Sequence, residues 1–299
     1  MNNTKIFLTG TARGGSGLVA KMLSANKNIN VTVTLLMEIL RLQRNLILNK
    51  FDKKKYSVNY TSKLPFGDYY YSDESIKILD LIINSSADLK LPKNIWKKHL
   101  GIIKKRASYG NPDLVKYIDK VYDSNFAKLI DNCFELVKTT RNLKKKKIFG
   151  FLDSWAIEMF LPLAKLFKNS KFIVIIRDPR AVVASNLYAK RSNLPNILSL
   201  IKSWRKIVAL TIYYKSLKIF KNRLYVFKHE DLVTNPKKVC KKLCNFLNVK
   251  FENEMLNTHN YLDYSTGKIW PGYSSFERKA FGFSKKRTTR WKKKLSYSQ

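Results

Sequence analysis

The chain has 299 residues and sets 58 lysines and arginines against 21 aspartates and glutamates, a formal charge of +37. Hydrophobic residues make up 45% and aromatics 13%, too much core material for a disordered polycation, while 11 glycines and 8 prolines exclude collagen-like and low-complexity architectures. A chain of this length buries about 75% of the surface its unfolded form exposes, so disulfide or metal staples are not required. The charge favours anionic ligands: nucleic acid, anionic lipid, phosphorylated or sulfated molecules, acidic polysaccharide. A-rich coding DNA produces the same excess by loading solvated surfaces with lysine. The runs Lys53-Lys54-Lys55, Lys144 to Lys147 and Lys292-Lys293-Lys294 are scattered and form no single basic tail.

In chain order, Lys5 to Thr9 reads as a short buried strand. Gly10-Thr11-Ala12-Arg13-Gly14-Gly15-Ser16-Gly17 follows as a glycine-rich turn, and Leu18 to Leu23 has helical spacing. Strand, glycine loop and helix open an α/β nucleotide-binding unit. Residues 51–146 differ in character, with helical patterns around Ile76 to Ile83 and Asp113 to Val137. In the second of these, Leu114, Ile118, Val121, Leu129, Cys133 and Leu136 form an apolar stripe suited to core packing. A second α/β unit starts with a strand at Ile148 to Leu152 and a helix at Ala156 to Lys168, apart from Pro162. Lys171 to Ile176 is a continuous apolar run, as expected of a parallel strand covered on both faces. Asp178 is a good helix cap and Pro179 a good first helical residue, so a new helix begins there. Leu224 to Phe227 is a further strand, and Pro236 to Leu247 a helix with Val239, Leu243, Phe246 and Leu247 on one face. The expected fold class is α/β, a parallel sheet with flanking helices and a helical insertion.

Cys133, Cys240 and Cys244 are an odd set with no dense framework and read as reduced, packed thiols. No apolar run approaches the roughly 18 residues of a membrane helix. Met1-Asn2-Asn3-Thr4-Lys5 leads into a strand without the apolar stretch of a secretory signal. A cytoplasmic location is expected, with a basic surface able to touch a membrane.

Backbone N–H groups in a glycine turn, together with the positive end of the next helix, cradle a phosphate. A nucleoside-triphosphate loop also needs a Gly-Lys-Ser/Thr ending. Here the loop ends Gly15-Ser16-Gly17-Leu18, and the first lysine, Lys21, is well inside the helix. An ATP-dependent kinase and an obligatory magnesium site are therefore disfavoured. Arg13 stands before the glycines, where a guanidinium can neutralise charge on a bridging or leaving oxygen. A second anion site follows the buried strand. Arg177 lies at its carboxyl end, where open α/β sheets bind ligands, and Ser185 lies about two turns into the next helix.

Taken together, Ala12-Arg13-Gly14-Gly15-Ser16-Gly17 and Ile176-Arg177-Asp178-Pro179-Arg180 with Ser185 resemble the sulfotransferases that use 3′-phosphoadenosine 5′-phosphosulfate (PAPS). The likeness is closest to the Golgi-type and bacterial carbohydrate enzymes. Those have an Arg-Ser-Gly-Ser/Thr-Ser/Thr loop for the 5′-phosphosulfate and an Arg-Asp-Pro-Arg with a later serine for the 3′-phosphate. His229-Glu230-Asp231-Leu232-Val233 is similar to the family's Tyr-Glu-Asp-Leu segment. Thr288-Thr289-Arg290-Trp291-Lys292-Lys293-Lys294-Leu295-Ser296 is similar to its Gly-Arg-Trp-Lys close, which folds over the cofactor. The motifs come in family order and span residues 5–27 and 147–296. The departures are Gly14 and Gly17, where the family has hydroxyl side chains, and Gly150-Phe151-Leu152-Asp153-Ser154, where it has Gly-Glu-Lys-Thr-Pro.

The resemblance implies a P-loop NTPase-like, three-layer α/β/α fold in a single domain. Residues 1–50 would hold the phosphosulfate loop, 51–146 a helical insertion forming the acceptor region, and 147–299 the 3′-phosphate half with its cofactor-covering loop. It implies PAPS as co-substrate without a metal, and a hydroxyl or amine of a carbohydrate or glycolipid as acceptor. Arg13 would stabilise the bridging oxygen, and the backbone of Gly14, Gly15, Ser16, Gly17 and Leu18 would hold the 5′-phosphate. Arg177 and Ser185 would fix the 3′-phosphate, with Lys285, Lys286 and Arg290 closing over it. Trp291 either packs near the adenine or anchors the C-terminal loop. Glu38, in the apolar helix around Leu35 to Leu40, is the first candidate for general base, against a reading as a solvated helix-face glutamate. Asp153, at a strand end, is the second, against a reading as a helix cap before Trp155. His99 lies in the unmatched insertion, and His229 and His259 read as structural. Two other classes compete: a basic nucleic-acid-binding protein, although no zinc-finger, RNP or helix-turn-helix signature is present, and a degenerate homologue that binds PAPS without turnover.

Overall fold

Phenylalanines and aliphatic residues alternate along the central strands, and that alternation divides the core in two. The structure, a computed structural model, describes residues 4–51, 73–85, 89–154, 156–189, 196–272 and 281–295. The run Lys53-Lys54-Lys55, Trp155 and Ser296 lie outside the described residues. The elements are β1 (Thr4–Gly10), α1 (Ser16–Ser24), β2 (Ile29–Val33), α2 (Met37–Phe51), α3 (Asp73–Asn84), α4 (Lys93–Ser108), α5 (Phe126–Thr140) and β3 (Ile148–Leu152). They continue with α6 (Phe160–Leu166), β4 (Lys171–Ile176), α7 (Pro179–Leu187), α8 (Ile197–Ser216), β5 (Leu224–Lys228), α9 (His229–Thr234) and α10 (Pro236–Leu247), then β6 (Leu262–Asp263), β7 (Lys268–Ile269) and α11 (Lys286–Thr289).

The first five strands form one parallel sheet in the order β2-β3-β1-β4-β5. Successive side chains point to opposite faces. Phe7, Phe149, Phe151 and Phe172 therefore share one face, where α2 to α6 and α8 cover them. Ring centroids there lie 5.5 Å apart for Phe7 and Phe172, and 4.4 Å apart for Phe134 and Phe151. Ile6, Leu8, Ile148, Leu152, Ile173 and Ile175 share the other face, under α1, α9 and α10. Both faces are sealed, as the apolar run in β4 requires. The three cysteines are free and buried.

Two expected helices form differently. Ala156 to Met159 is a 3₁₀ turn that hands over to α6, and Pro162 falls in the first turn of α6, where a missing N–H costs no hydrogen bond. Asp113 to Val137 is not one helix: a 3₁₀ segment, Val115–Val121, breaks before Asn125 caps α5 by accepting from Lys128 N–H. Of the expected stripe, Leu114, Ile118, Val121, Leu129 and Cys133 are fully buried, and Leu136 packs at their edge.

The crossover after β1 runs outward to β2, whereas the crossover after β3 runs past β1 to β4. Chain direction thus reverses around β1, opening a crevice at the carboxyl ends of the strands, the usual ligand position in such sheets. Both sequence-predicted anion sites lie on this edge.

Candidate active site

The loop after β1 is shaped by its glycines. Gly14 N–H donates to Thr11 O at 2.9 Å, and a Cβ on Gly14 would lie 2.8 Å from that oxygen and 2.9 Å from Thr11 Oγ1. The serine usual at this place in the resembled loops has no room here. Gly15 has φ 85°, and a Cβ there would lie 2.2 Å from the ring of His229, the buried first residue of α9. Only glycine meets both demands at low cost. Nothing lies within 4 Å of a Cβ on Gly17, so a hydroxyl side chain would fit at that position. Ser16 and Leu18 begin α1, whose first N–H groups face the loop with the positive end of the helix dipole. Lys21 points away and pairs with Asp263 at 3.2 Å, as its place inside the helix suggested.

Arg13 is also left-handed, φ 65°, which is uncommon for a residue with a side chain. Its carbonyl accepts from Arg177 Nη1 at 2.8 Å, and its own Nε–H donates to Ser185 Oγ at 3.3 Å. Arg13 therefore meets Arg177 and Ser185, which lie more than 160 residues later in the chain, just beyond the ends of β1 and β4. Asp178 caps α7 by accepting from Arg180 N–H at 2.9 Å. Glu230, in the segment likened to Tyr-Glu-Asp-Leu, accepts from Asp178 N–H at 3.0 Å. Trp204 of α8, which the sequence reading did not single out, donates its indole N–H to Arg177 O at 2.8 Å.

The C-terminal segment lies over the same helices. The Arg180 guanidinium stacks on Trp291, 3.8 Å from the ring centroid, and Tyr188 OH donates to Lys294 O at 3.2 Å. Trp291 thus anchors the segment to α7. Lys285 and Lys286 are exposed at the start of α11, which packs against α7 and α9, and Arg290 is half-buried beside Trp291.

The two carboxylates proposed as bases lie on the other side of β1. Asp153, 3% exposed at the end of β3, accepts from Leu36 N–H at 3.3 Å and so caps α2, not a helix before Trp155. Burial pushes its carboxyl up to about 7, against the opposing pull of Arg106 on α4 and the N–H groups of Leu36 and Met37; the nearby charge of Glu38 adds to the rise. Asp153 Oδ1 is buried with no hydrogen-bond partner among the described residues. Glu38 is not a solvated helix-face residue. Its side chain is largely covered and holds Arg41 at 2.7 Å. Arg106, on α4 in the insertion, is a contributor that sequence reasoning missed, since its charge acts on the Asp153 carboxyl. His99 bonds back to Ile95 O within α4, and His259 stacks on Phe281. No cluster of three or more His, Cys, Asp or Glu suited to a metal occurs among the described residues.

A glycine cradle at one strand end and an arginine-serine pair at the next give this edge of the α/β sheet two groups suited to anions. A model of the Sulfotransferase family matches residues 5–253, and the chain belongs to that family, the PAPS-using class that the motifs resemble. Curated relatives include protein-tyrosine sulfotransferase 1 of Danio rerio, 29% identical over 119 residues that make up 38% of this chain and 33% of the relative. Protein-tyrosine sulfotransferase 2 of Gallus gallus is 27% identical over 109 residues, 35% of this chain and 29% of the relative. The chain thus spans about a third of the length of these relatives. Among solved structures, the sulfotransferase domain from the curacin biosynthetic pathway shares the fold with a TM-score of 0.53 at 17% identity, over 99% of this chain and 93% of that one. No described helix is long and apolar enough to cross a membrane.

Proposed function

We propose that the chain transfers the sulfuryl group of PAPS to a hydroxyl oxygen. The observation that carries this reading is the meeting of Arg13, Arg177 and Ser185 beside a loop in which Gly14 and Gly15 leave no room for a Cβ. PAPS supplies an activated sulfur. The acceptor oxygen forms a bond to that sulfur as the bond to the 5′-phosphate oxygen breaks, and the acceptor proton passes to a base. Arg13 stabilises negative charge on the departing oxygen, and the N–H groups of Gly14 to Leu18 hold the 5′-phosphate. Arg177 and Ser185 take the 3′-phosphate, and the segment from Lys285 to Trp291, docked through Trp291, supplies cationic cover from Lys285, Lys286 and Arg290. The whole of residues 1–299 acts as one catalytic domain, with the insertion at 51–146 bordering the acceptor.

Asp153 is the preferred base over Glu38. A carboxyl raised to about 7 takes a proton more readily than an ordinary one, whereas Glu38 is committed to Arg41. A base of this strength suits a phenol, with pKa about 10, better than an alcohol. With the protein-tyrosine relatives, this favours a tyrosyl hydroxyl as acceptor. The likeness of the Arg177 motif to carbohydrate enzymes supports a sugar hydroxyl as the second reading.

The test uses radiolabelled PAPS with a tyrosine-containing peptide mixture and, separately, an oligosaccharide or glycolipid mixture. Arg13→Ala and Arg177→Ala should each abolish transfer to either acceptor while keeping the native circular dichroism spectrum. Near-normal turnover in either variant removes that residue from the mechanism.

A further inference from the structure

The peptide group that follows Arg177 is held at both ends. β4 ends at Ile176, so the peptide joining Arg177 to Asp178 is the first beyond that strand. Its carbonyl, belonging to Arg177, accepts from the Trp204 indole N–H at 2.8 Å. Its N–H, belonging to Asp178, donates to Glu230 Oε1 at 3.0 Å. Carbonyl and N–H lie in one rigid plane, so bonds at both ends fix its rotation. Trp204 comes from α8 and Glu230 from α9, 26 positions apart in the chain and on separate elements.

We propose that Trp204 and Glu230 are positioning residues that clamp the 177–178 peptide and thereby aim the Arg177 guanidinium at the 3′-phosphate site. The proposal rests on the reading of Arg177 as the 3′-phosphate ligand. An arginine side chain has several free torsions, and its head can be placed reproducibly only if its Cα–Cβ direction is set. Here that direction is set from outside the strand, because the sheet ladder ends one residue earlier. The guanidinium then reaches back to donate to Arg13 O in the loop after β1. Glu230 Oε1 acts only as an acceptor in this arrangement, and a glutamine can replace it; Trp204 acts through one N–H, which a phenylalanine lacks.

The experiment compares two ligands by calorimetry. 3′-Phosphoadenosine 5′-phosphate (PAP) carries the 3′-phosphate, and 5′-AMP carries the same adenosine and 5′-phosphate without it. Trp204→Phe and Glu230→Ala should each weaken PAP about tenfold while leaving 5′-AMP within twofold of the unsubstituted protein. Glu230→Gln should bind both ligands as the unsubstituted protein does. Equal weakening of PAP and 5′-AMP overturns the proposal in favour of a general folding role, and unchanged PAP affinity overturns it outright. Arg177→Ala tests the underlying reading separately. If that variant still prefers PAP over 5′-AMP, Arg177 is not the 3′-phosphate ligand, whatever Trp204 and Glu230 do.

Discussion

Replacing Asp153 by asparagine should make the protein more stable at neutral pH while removing the proposed base. The carboxyl sits at about 7 in the folded chain against an ordinary value of 3.8. Below about pH 4 it is protonated whether the chain is folded or not. Between about pH 4 and 7 the folded chain keeps a proton that the unfolded chain releases, so rising pH lowers stability, by about 1.4 kcal/mol per pH unit. By pH 8 the accumulated loss is on the order of 4 kcal/mol, large beside the 5–15 kcal/mol typical of a whole domain. Asparagine stays neutral and can still accept from Leu36 N–H, so Asp153→Asn should escape the loss. The assay is urea unfolding of both proteins at pH 5, 6, 7 and 8, followed by tryptophan fluorescence. The stability difference should grow with pH in favour of the substituted protein, cancelling the titration of groups common to both. Parallel curves from pH 5 to 8 would refute the assignment of a raised carboxyl at this strand end.

Lys206 and Glu158 form a fully buried pair at 3.2 Å, so Lys206→Met should cost about 3–5 kcal/mol by stranding the carboxylate, and adding Glu158→Leu should recover much of it, read by urea midpoints. Gly15→Ala combines a positive φ with a collision against His229, and should weaken PAP binding by more than tenfold in calorimetry; affinity close to the unsubstituted protein would mean the loop reshapes at little cost. Trp291→Ala removes the ring under Arg180, and should raise protease cleavage around residues 285–295 and weaken PAP several-fold, whereas unchanged cleavage would show that the segment is held by other contacts.

The strands that build the site were legible because each is a short apolar run, and α7 and α10 because each starts with proline after a capping side chain or a break. β2 was harder to see, since Asn30 and Thr32 are polar yet buried, and Thr32 Oγ1 finds Asn30 Oδ1 within the strand. α8 is the longest helix described, but apolar residues lie on its exposed side as well, including Leu198, Ile201 and Ile212, so no clean stripe marks it. α4 buries only Trp96, Ile103 and Ala107 among many lysines, a seam too thin to read as a helix face. Arg13, Arg177 and Ser185 were found by motif, and their meeting follows from strand order. The partners of Arg177 and Asp153 could not be read locally, because Trp204 and Leu36 reach them only through the packed fold.

The proposed activity depends on the anion site at the ends of β1 and β4. Its most direct test is calorimetric titration of the purified protein with PAP, alongside ATP with magnesium. Saturable 1:1 binding of PAP, lost in Arg177→Ala, with no comparable binding of ATP and magnesium, is the predicted result. Absence of PAP binding, or ATP and magnesium binding as tightly as PAP, would contradict it.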